Sequence, residues 1–228
     1  MIEDVLESQK KYDDIRGEEF ANGLISLYGE SGMFEHARKM FDEMPELNCE
    51  RTARSFNVLL KAAFNAKKFS KVVELFKEFS PRVSVEPDVY SYTIFIHALC
   101  EMGSLDDALL AFHEMESNWK LRGIFGGNAG LKADELVSEM ERKGIKPDFK
   151  WQTFVTLIPA CCNAGDLIMA YELCLEAINH RLLLKAEVFK NVVDGLVEKA
   201  KYAEASKLVK LVNSADYINY ELESLRVM

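Results

Sequence analysis

Leu24-Ile25-Ser26-Leu27-Tyr28-Gly29-Glu30-Ser31-Gly32-Met33-Phe34-Glu35-His36-Ala37-Arg38-Lys39-Met40-Phe41-Asp42-Glu43-Met44 has a counterpart further along the chain. It is Phe95-Ile96-His97-Ala98-Leu99-Cys100-Glu101-Met102-Gly103-Ser104-Leu105-Asp106-Asp107-Ala108-Leu109-Leu110-Ala111-Phe112-His113-Glu114-Met115. Both carry an apolar pair, a Gly eight residues later, an Ala five beyond it, and then Phe-x-Glu-Met. Self-similarity at a fixed period marks a repeat architecture.

Three weaker copies keep the frame: Phe56, Leu59, Lys67, Val72, Phe76; Phe154, Leu157, Gly165, Ala170, Cys174; and Phe189, Val192, Ala200, Ala205, Val209. Phe41 and Phe76 are 35 residues apart, Phe76 and Phe112 36, Cys174 and Val209 35. Within each unit apolar residues recur three and four apart, the period of two amphipathic helices. Gly32, Gly103 and Gly165 are placed to end the first helix in a left-handed turn. Ala37, Ala108, Ala170 and Ala205 fall early in the second helix, where a small side chain lets two backbones cross closely. Pro87-Asp88 and Pro147-Asp148 punctuate the links, since proline cannot continue a preceding helix.

One such hairpin leaves an apolar face bare, and stacked neighbours cover it. The expected fold is therefore all-α, an α-solenoid of helix-turn-helix repeats of about 35 residues. Its frame divides residues 1–228 into a partial repeat at 2–16, repeats at about 18–52, 53–88 and 89–122, a shortened repeat at 123–148, repeats at 149–185 and 186–214, and a tail at 215–228. Residues 2–12 read as a second helix without its first, so further chain is expected upstream. Met115 and Met140 are equivalent positions only 25 apart. The deficit falls at Gly123, Gly126, Gly127 and Gly130, in a stretch poor in helix formers.

Nearly half of the 228 residues are apolar and 29% are charged, a composition that buries a core and argues against disorder. The net charge of −9 is a poor footprint for binding that rests on phosphate contacts alone. Cys49, Cys100, Cys161, Cys162 and Cys174 lack C-x-x-C spacing and read as reduced, mostly buried thiols. No apolar run reaches the length of a membrane span. His36, His97, His113 and His180 fall in different units without a zinc-ligand motif, and the glycines at 123–130 match no phosphate-binding loop. No catalytic residues, no metal, no cofactor and no small-molecule substrate are expected.

The frame resembles the pentatricopeptide repeat family, of the type with uniform units. The resemblance rests on Asn57-Val58-Leu59-Leu60, Ser91-Tyr92-Thr93-Ile94, Phe41-Asp42-Glu43-Met44 and Gly144-Ile145-Lys146-Pro147-Asp148, and covers nearly the whole chain. It implies an organellar protein that binds single-stranded RNA, one base per repeat, through two or three side chains. Carried over by position, the base-selecting pairs are Asn57 with Asp88, a combination that in the family favours uridine, and Asn22 with Thr52, which is off-pattern. Thr93 is the next such position, its partner falling in the irregular stretch. Val155 with Lys185, and Lys190, follow, and Val155 offers a base edge no hydrogen bond. Arg51, Arg54, Lys61, Lys67, Lys68 and Lys71 gather around one unit, either to meet RNA phosphates or as a solvated helix face.

So few good pairs suit shape recognition better than a sequence code. Residues 7–29 are similar to a subgroup of short plant proteins of this family that belong to the mitochondrial ribosome. The resemblance thus implies a structural component of the plant mitochondrial ribosome, small subunit favoured, contacting rRNA and ribosomal proteins. Its import signal is expected upstream, with the plastid as the alternative compartment. The alternatives are a free organellar RNA-binding factor acting on transcript stability, processing or translation, with mRNA as its partner, and a helical array that binds protein alone.

Overall fold

The computed structural model describes residues 17–82, 86–125, 148–218, 220 and 222. The helix expected at 2–12 lies outside them, as does most of the shortened unit at 123–148. Among the described residues there are ten α-helices, one 3-10 turn and no strand. They are α1 Glu18–Glu30, α2 Phe34–Glu43, η1 Met44–Leu47, α3 Ala53–Asn65, α4 Phe69–Arg82, α5 Val89–Glu101, α6 Leu105–Phe125, α7 Asp148–Ala164, α8 Leu167–Asn179, α9 Ala186–Glu198 and α10 Tyr202–Ser214. The fold is the all-α, helical-hairpin solenoid class that the repeat frame implies.

The turn positions explain where the first helices stop. Gly32, Gly103 and Gly165 have φ of 72°, 73° and 80°. Lys67 and Ala200 occupy the same place in the frame and take the same left-handed backbone, at 55° and 56°, despite carrying a Cβ. In four turns an N–H donates to the carbonyl five residues back: Met33 to Tyr28, Lys68 to Ala63, Asp166 to Cys161 and Lys201 to Leu196, all at 2.8–2.9 Å. This closure satisfies carbonyls that the helix end would leave bare.

The chain divides into two compact units, Met1–Met102 and Gly103–Met228. In the first, α1 pairs with α2 and α3 with α4, while α1, α3 and α5 pack successively on one another. In the second, α7 pairs with α8 and α9 with α10, α7 packs on α9, and α6 lies against α7. The small residues of the frame sit where helices cross: Ala37, Ala108, Ala170 and Ala205 are fully buried, and Val72 replaces them in one unit. Phe34, Phe41, Phe56, Phe112, Phe154 and Phe189 fill the space between hairpins. Each such ring is worth about 1.5–3 kcal/mol when taken from water.

Two segments depart from the frame. Helix α6 runs through Gly123 to Phe125, past the unit end expected at 122, so Gly123 does not stop it. The described residues after α10, among them Tyr217, Tyr220 and Leu222, bond back to their own unit. Asn213 grips the backbone of Leu222, its Nδ2 donating to the carbonyl at 2.9 Å and its Oδ1 accepting from the N–H at 2.8 Å. The Tyr217 hydroxyl donates to the Ile178 carbonyl at 3.1 Å, and that of Tyr220 to Leu184. Arg181 holds Asp216 at 3.0 Å and lies over the Tyr217 ring.

Candidate nucleic-acid interface

Helices α1, α3 and α5 are the first helices of consecutive units, and Asn22, Asn57 and Thr93 stand at the fifth position of each. All three are buried, each 6% exposed. The residues that pair with them in the frame are helix caps. Thr52 caps α3 and Asp88 caps α5, each in a capping box with the third residue of its helix, Ser55 or Ser91. Capping thus brings the end of one unit beside the fifth position of its own first helix.

In the second unit of the frame the pair is made. Asn57 Nδ2 donates to Asp88 Oδ1 and Oδ2, both at 3.0 Å. The Ser91 hydroxyl donates to Asn57 Oδ1 at 2.5 Å. The Ser91 N–H donates to Asp88 Oδ1 at 2.8 Å. A carboxylate accepts and a hydroxyl donates, so this arrangement permits only one orientation of the Asn57 amide.

In the preceding unit the same residue type meets the opposite fate. Both polar atoms of the Asn22 side chain are buried and lack a hydrogen-bond partner among the described residues. Thr52, which stands where Asp88 stands, donates its hydroxyl to the Glu18 carboxylate instead. Ser55 donates to the Thr52 carbonyl at 2.9 Å rather than to Asn22. An unpaired buried amide costs on the order of 1–3 kcal/mol, which a ligand's polar edge would restore. Thr93 bonds back to its own helix, Oγ1 donating to the Val89 carbonyl at 2.8 Å. Val155 is half-buried, and Lys185 and Lys190 are exposed.

Most of the six basic residues singled out in the sequence hold protein groups. Arg51 crosses to the end of α2, donating to the carbonyls of Phe41 at 3.0 Å and Asp42 at 2.6 Å, with its guanidinium over the Phe41 ring. Arg54 meets Glu19 at 3.3 Å, Lys68 meets Glu35 at 2.9 Å, and Lys71 meets Glu74 at 2.6 Å. These bonds push the Glu35 carboxyl below its usual range and the Lys71 ammonium above it. Lys61 and Lys67 are exposed and make no ion pair with the described residues. Arg38, which the sequence reading passed over, joins the same surface between Asp42 and Glu78. The spacings of Arg38 with Asp42 and of Lys71 with Glu74 along their own helices were the readable part of this pairing.

The cysteines are free, with Cys49, Cys161 and Cys174 buried. Burial pushes the Cys100 thiol up to about 11 and raises Cys49 and Cys162 as well. One grouping crosses units of the frame: His180 stands beside Glu116 and Glu176. The glutamate and histidine four apart in α8 and its cap were readable; the contribution of Glu116 from α6 was not. Among the described residues no helix is long and apolar enough to cross a membrane.

Stacked helical hairpins with polar fifth positions facing capped helix ends define a helical-repeat binding protein. The chain belongs to the pentatricopeptide repeat family: models described as PPR repeat or pentatricopeptide repeat domain match residues 20–65, 54–80, 84–116 and 135–176, together more than half of it. A pentatricopeptide repeat-containing protein of Arabidopsis thaliana is 52% identical over 50% of this chain and 21% of its own length. Small ribosomal subunit protein mS79 of the same plant is 50% identical over 51% of this chain and 29% of its own. Small ribosomal subunit protein mL103, also from Arabidopsis thaliana, is 34% identical over 64% of this chain and 38% of its own. The chain thus spans well under half the length of these relatives. The crystal structure of the pentatricopeptide repeat protein PPR10 in complex with an 18-nt psaJ RNA element shares the fold, with a TM-score of 0.50 and 19% identity over 83% of this chain and 24% of that one.

Proposed function

We propose that this chain is an RNA- and protein-binding scaffold, without catalytic activity, in the small subunit of the plant mitochondrial ribosome. The observation that carries the reading is the 50% identity over half the chain to small ribosomal subunit protein mS79. Other relatives are named as mitochondrial, which supports the compartment. The interface geometry fits a structural role. Only one fifth-position residue is held in a fixed orientation by its partner, and most nearby cations are tied to carboxylates or backbone carbonyls of the protein itself. A solenoid of this kind recognises folded RNA and neighbouring proteins by shape and by a few contacts, with Lys61 and Lys67 as phosphate-facing cations.

Sedimentation of an organelle lysate tests this. A ribosomal component co-migrates with one subunit and stays there when magnesium chelation separates the two. Recovery in light fractions would overturn the assignment and favour a free RNA-binding factor, whose target would then be sought as a uridine-containing segment. In either setting Asn57→Ala and Asp88→Ala should weaken discrimination for the contacted base, by about 1–3 kcal/mol if that base is read directly.

A further inference from the structure

We propose that Ser91, a residue of the following repeat, is a specificity-determining residue of the Asn57–Asp88 pair, its hydroxyl fixing the plane in which the Asn57 amide meets a pyrimidine base. The inference rests on the RNA-binding reading of the chain, and it adds a third side chain to a site that position in the frame assigns to two. Ser91 lies 34 residues beyond Asn57, on α5 where that helix packs against α3. It is fully buried. Its hydroxyl has one proton and two acceptors within reach, Asn57 Oδ1 at 2.5 Å and Asp88 Oδ1 at 3.1 Å. The shorter contact takes the proton, and the Ser91 oxygen accepts the Asp88 N–H at 3.1 Å. One side chain thus ties the Asn57 amide to the Asp88 backbone and to the start of α5.

The two partners of the Asn57 amide constrain it differently. The Asp88 carboxylate, with both oxygens 3.0 Å from Nδ2, decides which end of the amide is the donor. A side-chain amide held at one end still swings, because its last torsion is broad. The Ser91 hydroxyl holds the other end, so the amide is fixed in its plane as well as in its polarity. Ser91 takes one lone pair of Oδ1 and leaves the second for a base. Uracil and cytosine share a ring but exchange donor and acceptor at N3 and at the exocyclic group on C4. An amide held in one plane separates them, and a loose one adapts to both.

The preceding repeat supplies the contrast. Ser55 holds the same place in the capping box of α3 and is equally buried, but its hydroxyl donates to the Thr52 carbonyl at 2.9 Å. The Asn22 side chain there has no hydrogen-bond partner among the described residues. Capping alone therefore does not account for the Ser91 contact with Asn57.

The test uses the whole chain and two RNA probes of equal length, oligouridylate and oligocytidylate, with affinities read by fluorescence anisotropy at one salt concentration. Wild type is expected to prefer oligouridylate. Ser91→Ala should lower that preference about three- to tenfold, the weight of one buried hydrogen bond. Ser91→Thr keeps the hydroxyl and should retain the preference. Because losing a cap also lowers stability, Ser55→Ala is the control: it should lower the urea midpoint as Ser91→Ala does, yet leave the ratio of the two affinities at its wild-type value. A ratio unchanged in Ser91→Ala, or changed as much by Ser55→Ala, would reduce Ser91 to a helix cap and overturn the proposal. Wild type that binds neither probe would overturn the RNA-binding reading, and wild type that binds both equally would overturn base reading at Asn57; the proposal falls with either. If Ser91→Ala fails to fold, Ser91→Cys, a weaker hydrogen-bond donor close in size, decides the same ratio.

Discussion

Gly23 and Gly29 lie in the same helix, six residues apart, and alanine at each should move stability in opposite directions. A Cβ on Gly29 would meet Ala62 Cβ at 2.5 Å and Ala62 Cα at 2.6 Å. Carbon atoms that do not bond prefer about 3.5–4.0 Å, so α1 and α3 would have to part by about 1 Å. The obstacle is backbone and a methyl carried directly on it, not the end of a flexible side chain. Overpacking of this kind costs about 1–3 kcal/mol, here toward the upper end. The swap also returns ~0.8–1 kcal/mol, because alanine is the better helix former. The net expectation for Gly29→Ala is a loss of about 1–2 kcal/mol. Gly23 is exposed, with nothing within 4 Å of its added Cβ, so Gly23→Ala keeps only the propensity gain. The two variants should differ by about 2–3 kcal/mol, roughly 1 M or more in urea midpoint for a unit of this size. Far-UV circular dichroism follows the melt. Trp119 and Trp151, the two tryptophans, both belong to the second unit and report separately on it. A Gly29→Ala midpoint at or above wild type would show that the α1–α3 approach is not close, and the packing argument would fail.

Three further expectations are independent of that one. Ala200 sits at φ 56°, where a Cβ costs about 1–2 kcal/mol, so Ala200→Gly should stabilise the second unit by about 0.5–1 kcal/mol after glycine's extra chain freedom is counted; a lower urea midpoint by tryptophan fluorescence would contradict this. Burial against Phe64, 4.5 Å between ring centroids, holds the His97 imidazole below its ordinary 6.5. The unfolded chain therefore takes up that proton first, and the contribution of neutral His97, full at pH 7–8, is lost as pH falls through 6.5. His97→Gln should flatten the acid side of a stability–pH profile, and an unchanged slope between pH 7 and 5 would count against the burial. Cys100, pushed up to about 11 from 9.0, should hold about a hundredfold less thiolate than an unshifted cysteine, and its native alkylation rate at pH 8, read by mass spectrometry, should lag the denatured rate by at least that factor.

The fold was legible because one periodic signal recurs in every copy. Position 32 of the first copy predicts left-handed backbone at Lys67 and Ala200, although neither residue asks for it; the frame carries that information and local propensity does not. The candidate interface was legible only as positions. Asn22 and Asn57 are the same residue type at the same place, yet Asn57 is held at both ends of its amide and Asn22 at neither. The difference depends on Glu18, which draws Thr52 away, and such competition for a hydroxyl leaves no trace in spacing. The basic cluster was visible as cations, but the carboxylate partners of Arg54 and Lys68 lie about one repeat away and become neighbours only when hairpins stack. Glu116 escaped notice for the same reason: its meeting with His180 is a product of packing between units of the frame.

These observations bear on what kind of RNA reader the chain can be. An amide discriminates between bases only if its donor and acceptor ends are fixed. At Asn57 the Asp88 carboxylate demands the NH₂ and the Ser91 hydroxyl demands the oxygen, so the amide cannot flip. It still keeps one N–H and one lone pair to present to a base edge, in a set order. At Asn22 neither end is held, and rotation by half a turn exchanges donor for acceptor at little cost. Under the proposed function that residue would satisfy a base of either pattern, and so would contribute affinity without selectivity. Thr93 spends its hydroxyl proton on its own helix, and Val155 has no side-chain donor or acceptor. A single selective position among these cannot single out one transcript from many, because each directly read base supplies only about 1–3 kcal/mol of discrimination. Held in place by neighbouring proteins and by RNA whose fold already fixes its position, such a surface would need no more selectivity than this, and under the proposed function a ribosome would supply that setting.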